Sequence, residues 1–151
     1  MTTVGRPSAV VDASVVAKWF LVDEDGSSGA LRLKTDFTEG RLTLLAPGLL
    51  AYELASVLSV AVRRERMTEP DGLEALDCVL SMGIIMVNQD LVYSGAAQLA
   101  LRNGQSAYDN AYLSLAAACG CTFYTADERL VRALGASHGE LARHVDSYGV
   151  P

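Results

Sequence analysis

The sequence predicts an α/β fold in which a parallel sheet carries helices on both of its faces. Short apolar runs rich in β-branched residues, such as residues 9–11 and 84–87, alternate with longer segments of helical periodicity. The apolar runs show no polar alternation, which is typical of strands that are covered on both faces. Strands that alternate with helices favour parallel pairing through crossover helices.

The predicted elements follow one another with short polar or glycine-containing breaks. The predicted strands cover residues 10–11, 42–46, 84–87 and 121–125, with a fifth edge strand around residues 143–146. A first helix is predicted directly after Asp12, and further helices cover residues 30–37, 49–62, 68–81, 88–102, 106–119 and 126–134. Residues 23–28 predict a polar loop, with Ser27 or Ser28 capping the next helix.

The helix over residues 49–62 stands out because it has almost no polar face. Pro47 suits the first turn of this helix. A helix that is apolar nearly all round is expected to be buried nearly all round. Arg63, Arg64 and Arg66 close it, either as complements to the C-terminal helix dipole or as a grip on phosphates.

Length and composition predict one folded domain over residues 1–151. Half of the residues are hydrophobic (50%) and only 20% are charged, which argues against disorder. The apolar runs are shorter than the roughly 20 residues of a membrane span, and residues 1–8 lack a signal-peptide core. We therefore expect a cytoplasmic protein that does not bind membranes.

Charge and cysteine content exclude some functions and leave others open. The net charge of −6 and the pI of about 4.8 provide no general basic surface for nucleic acid. A metal-dependent nuclease remains compatible with this charge because it concentrates acids at its centre. Cys78, Cys119 and Cys121 lack the spacing of a zinc site and are expected to be reduced thiols.

Four acids are predicted to reach the same edge of the sheet. Asp12 follows the first strand, Glu53 lies in the helix after the second, Asp109 opens the helix before the fourth, and Asp127 follows the fourth. The C-terminal edge of a parallel sheet is where such folds bind ligands. Three of these acids also have an ordinary explanation, because Asp12, Asp109 and Asp127 stand where helix caps are expected. Glu53 lies inside a helix, so capping does not explain it.

A buried carboxylate inside a helix needs a partner, a metal ion or a raised pKa. No His or Cys stands at the matching places, so the four acids offer only oxygen ligands. Mg²⁺ and Mn²⁺ suit such a site. A metal-bound water has a lowered pKa and could attack phosphorus while the metal stabilises the developing charge. The predicted reaction is metal-assisted phosphodiester hydrolysis.

The acidic motifs resemble those of PIN-domain ribonucleases, and specifically the VapC toxins of VapBC toxin–antitoxin pairs. The similarity spans almost the whole chain, and its segments are residues 10–15, 47–53, 106–109 with Tyr112, and 124–127. It implies a three-layer α/β/α sandwich with about five mostly parallel strands. It also implies cleavage of single-stranded or looped RNA that depends on Mg²⁺ or Mn²⁺.

The resemblance also implies roles for individual residues. Asp12, Glu53, Asp109 and Asp127 carry over as the acidic, metal-binding and catalytic pocket, with direct metal contact expected first from Asp12 and Asp109. Hydroxyl groups are expected to orient the carboxylates or waters, and these belong to Ser14, Ser106 and Thr125. Asn110 is a minor departure, because small residues are common at this place in the family.

Partners implied by the resemblance are an RNA substrate, a VapB-like antitoxin and a second copy of the chain in a homodimer. An apolar groove for the antitoxin could be formed by Trp19, Phe20, Tyr52, Leu54 and Val57, which could equally be core residues.

Two alternatives to a nuclease remain open. A PIN-like module without catalysis would bind its target through the same fold. A receiver-type signalling domain also uses acids at strand ends, but it needs a second acid beside the first and a late lysine, and the only lysines here are Lys18 and Lys34.

Overall fold

Five parallel strands form the central sheet of the protein, in a computed structural model that describes residues 5–21 and 28–151. The strands are β1 (Ser8–Val11), β2 (Thr43–Pro47), β3 (Ile85–Val87), β4 (Thr122–Thr125) and β5 (Ala142–His144). The helices are α1 (Ala13–Ala17), α2 (Ser28–Thr38), α3 (Leu49–Arg63), α4 (Glu69–Ser81), α5 (Asp90–Asn103), α6 (Ala107–Cys119) and α7 (Glu128–His138). The predicted polar loop at residues 23–27 lies outside the described residues, and Ser28 begins α2.

The first strand is the centre of this sheet. Val10 and Val11 are completely buried, and β1 pairs in parallel with β2 on one side and with β4 on the other. Val10 stands in register with Leu45 and with Phe123. The predicted α/β class and the predicted parallel sheet are therefore confirmed.

The strand order, β3-β2-β1-β4-β5, places a topological switch point between β1 and β4. The chain winds outward from β1 through β2 to β3, and then crosses to the other side of β1 to form β4 and β5. Ligands of open α/β sheets bind outside the C-terminal ends of the strands at such a point. Receiver domains have the order 2-1-3-4-5, so the receiver alternative is wrong for this chain.

Two expectations about the region around α3 are also wrong. Pro47 does not open the helix; it ends β2 in register with Val87, and Gly48 precedes the helix. The Gly48 N–H donates to Asn88 Oδ1 over 3.1 Å, and a Cβ at residue 48 would overlap the Asn88 side chain. This close approach explains why residue 48 is a glycine.

Helix α3 is amphipathic and is not buried nearly all round. Its buried residues, Leu50, Leu54, Leu58 and Ala61, recur every three or four positions and form one stripe. Small apolar residues on the other faces of α3 remain accessible, which an apolar composition alone did not predict.

The fifth strand is present but shorter and earlier than the predicted residues 143–146. It ends at His144, where a 3₁₀ turn over Val145–Ser147 begins. The Arg32 Nε donates to the Tyr148 carbonyl over 3.0 Å, and the Tyr148 hydroxyl donates to Asp36 over 2.6 Å. These bonds attach the C-terminal segment to α2. Among the described residues, no helix is long and apolar enough to span a membrane.

Candidate active site

Asp12 lies at the switch point, directly after β1, and is only 7% exposed. Its Oδ1 accepts hydrogen bonds from the Ser14 N–H (3.0 Å), the Val15 N–H (3.3 Å) and the Ser14 hydroxyl (2.5 Å). Its Oδ2 accepts one from the Thr125 hydroxyl over 2.5 Å. Asp12 is thus the N-cap of α1, as one sequence-based explanation predicted, and also a carboxylate buried among donors.

Burial and hydrogen bonding act on Asp12 in opposite directions. Burial raises the pKa of the Asp12 carboxyl above its usual value, while the hydrogen bonds from Ser14, Thr125 and the backbone lower it. Four donors around one carboxylate favour its ionised form, because only that form accepts all of them without donating. The site therefore holds a carboxylate whose charge is costly to bury and that the surrounding donors stabilise.

The hydroxyls of Ser14 and Thr125 connect Asp12 to the chain after β4. The Ser14 Oγ accepts from the Ala126 N–H over 2.8 Å, and the Thr125 Oγ1 accepts from the Asp127 N–H over 3.1 Å. Each hydroxyl has one hydrogen, which it donates to Asp12. The 3.3 Å contact between the two hydroxyl oxygens therefore involves no further proton. Both residues lie where the sequence predicted supporting hydroxyls.

Glu53 extends from the second turn of α3 and is only partly buried. The Tyr112 hydroxyl, on α6, donates to Glu53 Oε2 over 2.8 Å. Burial raises the pKa of Glu53, the Tyr112 hydrogen bond lowers it, and the negative charges of Asp12 and Asp109 raise it further. Two of the other predicted acids, Asp12 and Asp109, therefore act electrostatically on Glu53.

The sequence analysis named Tyr112 as part of an acidic motif but assigned it no role, and the structure shows that its hydroxyl binds Glu53. It is 1% exposed, and its ring stacks on Phe123 with the centroids 5.5 Å apart. Burial raises the pKa of Tyr112, as do Glu53, Asp12 and Asp109, so the hydroxyl stays protonated and donates. The signal for this role was available, because a buried tyrosine normally needs a partner for its hydroxyl.

Asp109 lies in the first turn of α6, partly buried, beside the residue that caps this helix. The Ser106 Oγ accepts from the Asp109 N–H and donates to Asp109 Oδ2, both over 3.0 Å. Ser106 therefore caps α6 and also orients the carboxylate.

A hydrogen-bonded pair of amides, from the partly buried Asn103 and the buried Asn110, fixes the turn that carries Asp109. Asn103 Nδ2 donates to Asn110 Oδ1 over 2.8 Å, and Asn110 Nδ2 donates back to Asn103 Oδ1 over 3.1 Å. Asn110 also donates to the Ser106 carbonyl over 2.9 Å and is completely buried. Asn110, which stands where the family commonly has a small residue, thus has a specific hydrogen-bond partner in Asn103. The sequence did not reveal this partner.

Asp127 follows β4, and its side chain caps the next helix. It is exposed, and its Oδ1 caps α7 by accepting from the Arg129 N–H (2.9 Å) and the Leu130 N–H (3.1 Å). Its own N–H is bound to Thr125, which is the contact that ties it to Asp12.

The donor set fits a hard divalent cation in its chemistry. Carboxylate oxygens are the ligands that Mg²⁺ and Mn²⁺ prefer, and the negative charges of Asp12 and Asp109 already act on Glu53. Within residues 5–21 and 28–151, however, no three His, Cys, Asp or Glu side chains are close enough together to form a ready-made metal site.

Comparisons with known proteins agree with this topology. A family model described as the PIN domain matches residues 9–135. Among solved structures, the crystal structure of PAE2754 from Pyrobaculum aerophilum is similar, with a TM-score of 0.67 and 23% identity over 93% of this chain and 92% of that chain. At this identity the likeness concerns the fold. The search of curated proteins found no match.

Proposed function

Because the chain belongs to the PIN domain family, whose members are generally metal-dependent nucleases, we propose that it is a ribonuclease dependent on Mg²⁺ or Mn²⁺. The observation that carries the proposal is Asp12, a buried carboxylate at the switch point whose charge acts on Glu53 together with that of Asp109. Carboxylates placed in this way are stabilised by a cation and destabilised without one.

Three acids have oxygen atoms available for the ion. Asp12 Oδ2 and Asp109 Oδ2 each accept one hydrogen bond, and Glu53 Oε2 accepts one from Tyr112. These carboxylates would hold the ion, and Asp127 would join them if it left the cap of α7. When bound, the ion supplies an activated water and stabilises negative charge on the phosphate oxygens.

The surrounding residues keep the acids in their reactive form. Ser14 and Thr125 donate to Asp12 and so favour its carboxylate over its protonated form. Tyr112 does the same for Glu53, and Ser106 orients Asp109. Substitutions that remove one of these hydroxyls should therefore change the pH dependence of the reaction rather than abolish the reaction.

The finer proposal is a VapC-type toxin that acts in the cytoplasm, is restrained by a VapB-like antitoxin and functions as a homodimer. Its support is the order of the acidic motifs, which resembles that of such toxins. The predicted apolar groove needs revision, because Trp19 and Leu54 are buried in the core. Tyr52 is exposed, and Phe20 and Val57 are partly buried, so of the five predicted groove residues these three are accessible to an antitoxin.

The experiment is a cleavage assay on a mixed RNA substrate with Mn²⁺ or Mg²⁺. We expect EDTA to stop the cleavage. Asp12→Asn and Asp109→Asn should each reduce the cleavage rate by more than the factor of about 10–100 that is typical of residues that only support a metal ligand. Asp77→Asn is the matched control, because Asp77 is exposed on α4 and should leave the rate unchanged.

Thermal unfolding provides a second measurement that does not depend on catalysis. Mn²⁺ should raise the Tm of the wild-type protein at neutral pH and raise that of Asp12→Asn or Glu53→Gln much less. Cleavage by Asp12→Asn at the wild-type rate would refute the assignment. RNA binding without cleavage in either ion would identify a PIN-like binding module instead.

A further inference from the structure

We propose that Tyr52 and Tyr108 form a base-stacking platform beside the acidic pocket and hold unpaired bases of the RNA substrate. The proposal rests on the proposed ribonuclease function and deepens it by naming the residues that recognise the substrate. Sequence alone did not identify which aromatic side chains are exposed, and the structure does.

Exposure separates these two rings from the other aromatic residues. Tyr52 is 81% exposed and Tyr108 is 66% exposed. The third exposed aromatic residue is Tyr93, at 55% on α5. The remaining aromatic side chains are buried or partly buried. Among the described residues, the hydrogen bonds and ring contacts involve neither the Tyr52 nor the Tyr108 side chain, so both rings present their faces to solvent.

Position links the two rings to the pocket. Tyr52 directly precedes Glu53 on α3, and Tyr108 directly precedes Asp109 on α6. The two helices are joined at this level by the Tyr112–Glu53 hydrogen bond of 2.8 Å. Both helices begin at the C-terminal edge of the sheet, and helical side chains lean toward the N-terminus of their helix. The rings therefore lie on the edge of the sheet that carries the acids.

Tyr108 is also placed by its own helix. It lies four residues before Tyr112 and so shares a face of α6 with the side chain that holds Glu53. In this proposal, a nucleotide whose phosphate approaches the carboxylates stacks its base on these neighbouring rings.

Stacking also suits the charge of this protein. With a net charge of −6, the chain has little general attraction for a polyanion. Base–aromatic stacking contributes about 1–3 kcal/mol per base and needs no cation. Bases in a duplex have their faces covered by their neighbours, whereas bases in loops and single strands can be splayed onto a side chain. Exposed tyrosines beside the pocket therefore favour unpaired RNA.

The test measures binding of a fluorescent single-stranded RNA of about 12 nucleotides, a length that fits such sites, by anisotropy in EDTA, where no cleavage is expected. Tyr52→Ala and Tyr108→Ala should each raise the Kd about 5-fold or more, which corresponds to the lower limit for one stacked base. Tyr52→Phe and Tyr108→Phe keep the ring and should bind within about 2-fold of the wild type. Tyr93→Ala is the matched control for an exposed tyrosine outside the platform and should have no effect.

Several results would overturn the platform. The proposal is wrong if both alanine variants bind RNA with the wild-type Kd, or if the phenylalanine variants lose as much affinity as the alanine variants. It is also wrong if the alanine substitutions weaken binding of the same RNA annealed to its complement equally, or if the wild-type protein does not bind single-stranded RNA. A change in oligomeric state alone would assign the rings to a protein interface instead. The two proposals fail separately: cleavage that is unaffected by Tyr52→Ala and Tyr108→Ala refutes only the platform, and tyrosine-dependent binding without metal-dependent cleavage refutes only the nuclease.

Discussion

Replacing Thr125 by valine should reveal how strongly the buried hydroxyl supports Asp12. Thr125 is completely buried, and valine has nearly the same shape, so the change removes the hydroxyl with little effect on packing. Two hydrogen bonds disappear, the 2.5 Å bond to Asp12 Oδ2 and the 3.1 Å bond from the Asp127 N–H. The substitution thus removes one donor from a charged group and one acceptor from a backbone amide.

The magnitude follows from these two losses. A hydrogen bond to a charged group contributes about 1.5–3 kcal/mol, and an unsatisfied buried donor costs about 1–3 kcal/mol. Asp12 keeps its donors at Oδ1, so we expect the free energy of unfolding to fall by about 3 kcal/mol at neutral pH in EDTA. Urea denaturation measures this difference directly.

The loss should depend on pH with a definite sign. Burial raises the pKa of Asp12 above 3.8, and the Thr125 hydrogen bond lowers it. A raised native pKa stabilises the fold below the unfolded value, and this stabilisation is lost as pH rises through the native value. Removing the hydroxyl raises the native pKa of Asp12 further, so the cost of Thr125→Val should be larger at about pH 7 than at about pH 4.

Thr122→Val serves as the control, because Thr122 begins the same strand and its side chain is only partly buried. Thr125→Ser restores the hydroxyl and should recover most of the pH dependence, although it leaves a small cavity. If Thr125→Val unfolds within about 0.5 kcal/mol of the wild type at neutral pH, as an ordinary surface substitution would, the hydroxyl does not support Asp12 as described.

Two further substitutions test the neighbouring contacts. Tyr112→Phe keeps the ring that stacks on Phe123 but removes the hydrogen-bond donor to Glu53. The pKa of Glu53 should therefore rise further, and the acid limb of the pH–rate profile should move to higher pH. An unshifted profile would exclude this role of Tyr112. Asn110→Ala removes the amide pair with Asn103 and should lower the free energy of unfolding by about 2–3 kcal/mol in urea denaturation. Adding Asn103→Ala should then cost little more, and fully additive losses would show that the pair is not coupled.

The sheet could be predicted because local patterns of apolar residues in the sequence indicate its strands. Continuous apolar runs at residues 10–11 and 84–87 indicated buried strands. β1 is buried as predicted, whereas β3 covers only Ile85–Val87 and is an outer strand whose Ile85 is 49% exposed, so its predicted burial is wrong. The errors came from tertiary contacts. Pro47 is compatible with either a helix start or a strand end, and the contact between Gly48 and Asn88 decides for the strand end. The burial of α3 was overestimated because composition does not reveal which small residues face solvent.

For the candidate site, sequence identified the residues better than their interactions. Hydrogen bonds join Asp12 to Ser14 and Thr125, which come from elements on both sides of the switch point. The cap formed by Asp127 is compatible with its sequence, but only the structure shows its side chain turned toward α7. The sequence predicted that Glu53 is buried, but its side chain is only partly buried. Its charge neighbours were nevertheless foreseen, because parallel strands bring their C-terminal ends to one edge.

The two outer strands of the sheet limit how this protein can meet other polypeptides. β3 and β5 have three residues each, and β5 is followed directly by the 3₁₀ turn. So short an edge offers few free backbone groups to an incoming strand, which disfavours both amyloid-like pairing and recognition by strand addition. Recognition of a protein partner should therefore proceed through side chains on the helices, and substitutions on helix surfaces should change partner choice without disturbing the hydrogen-bonded sheet.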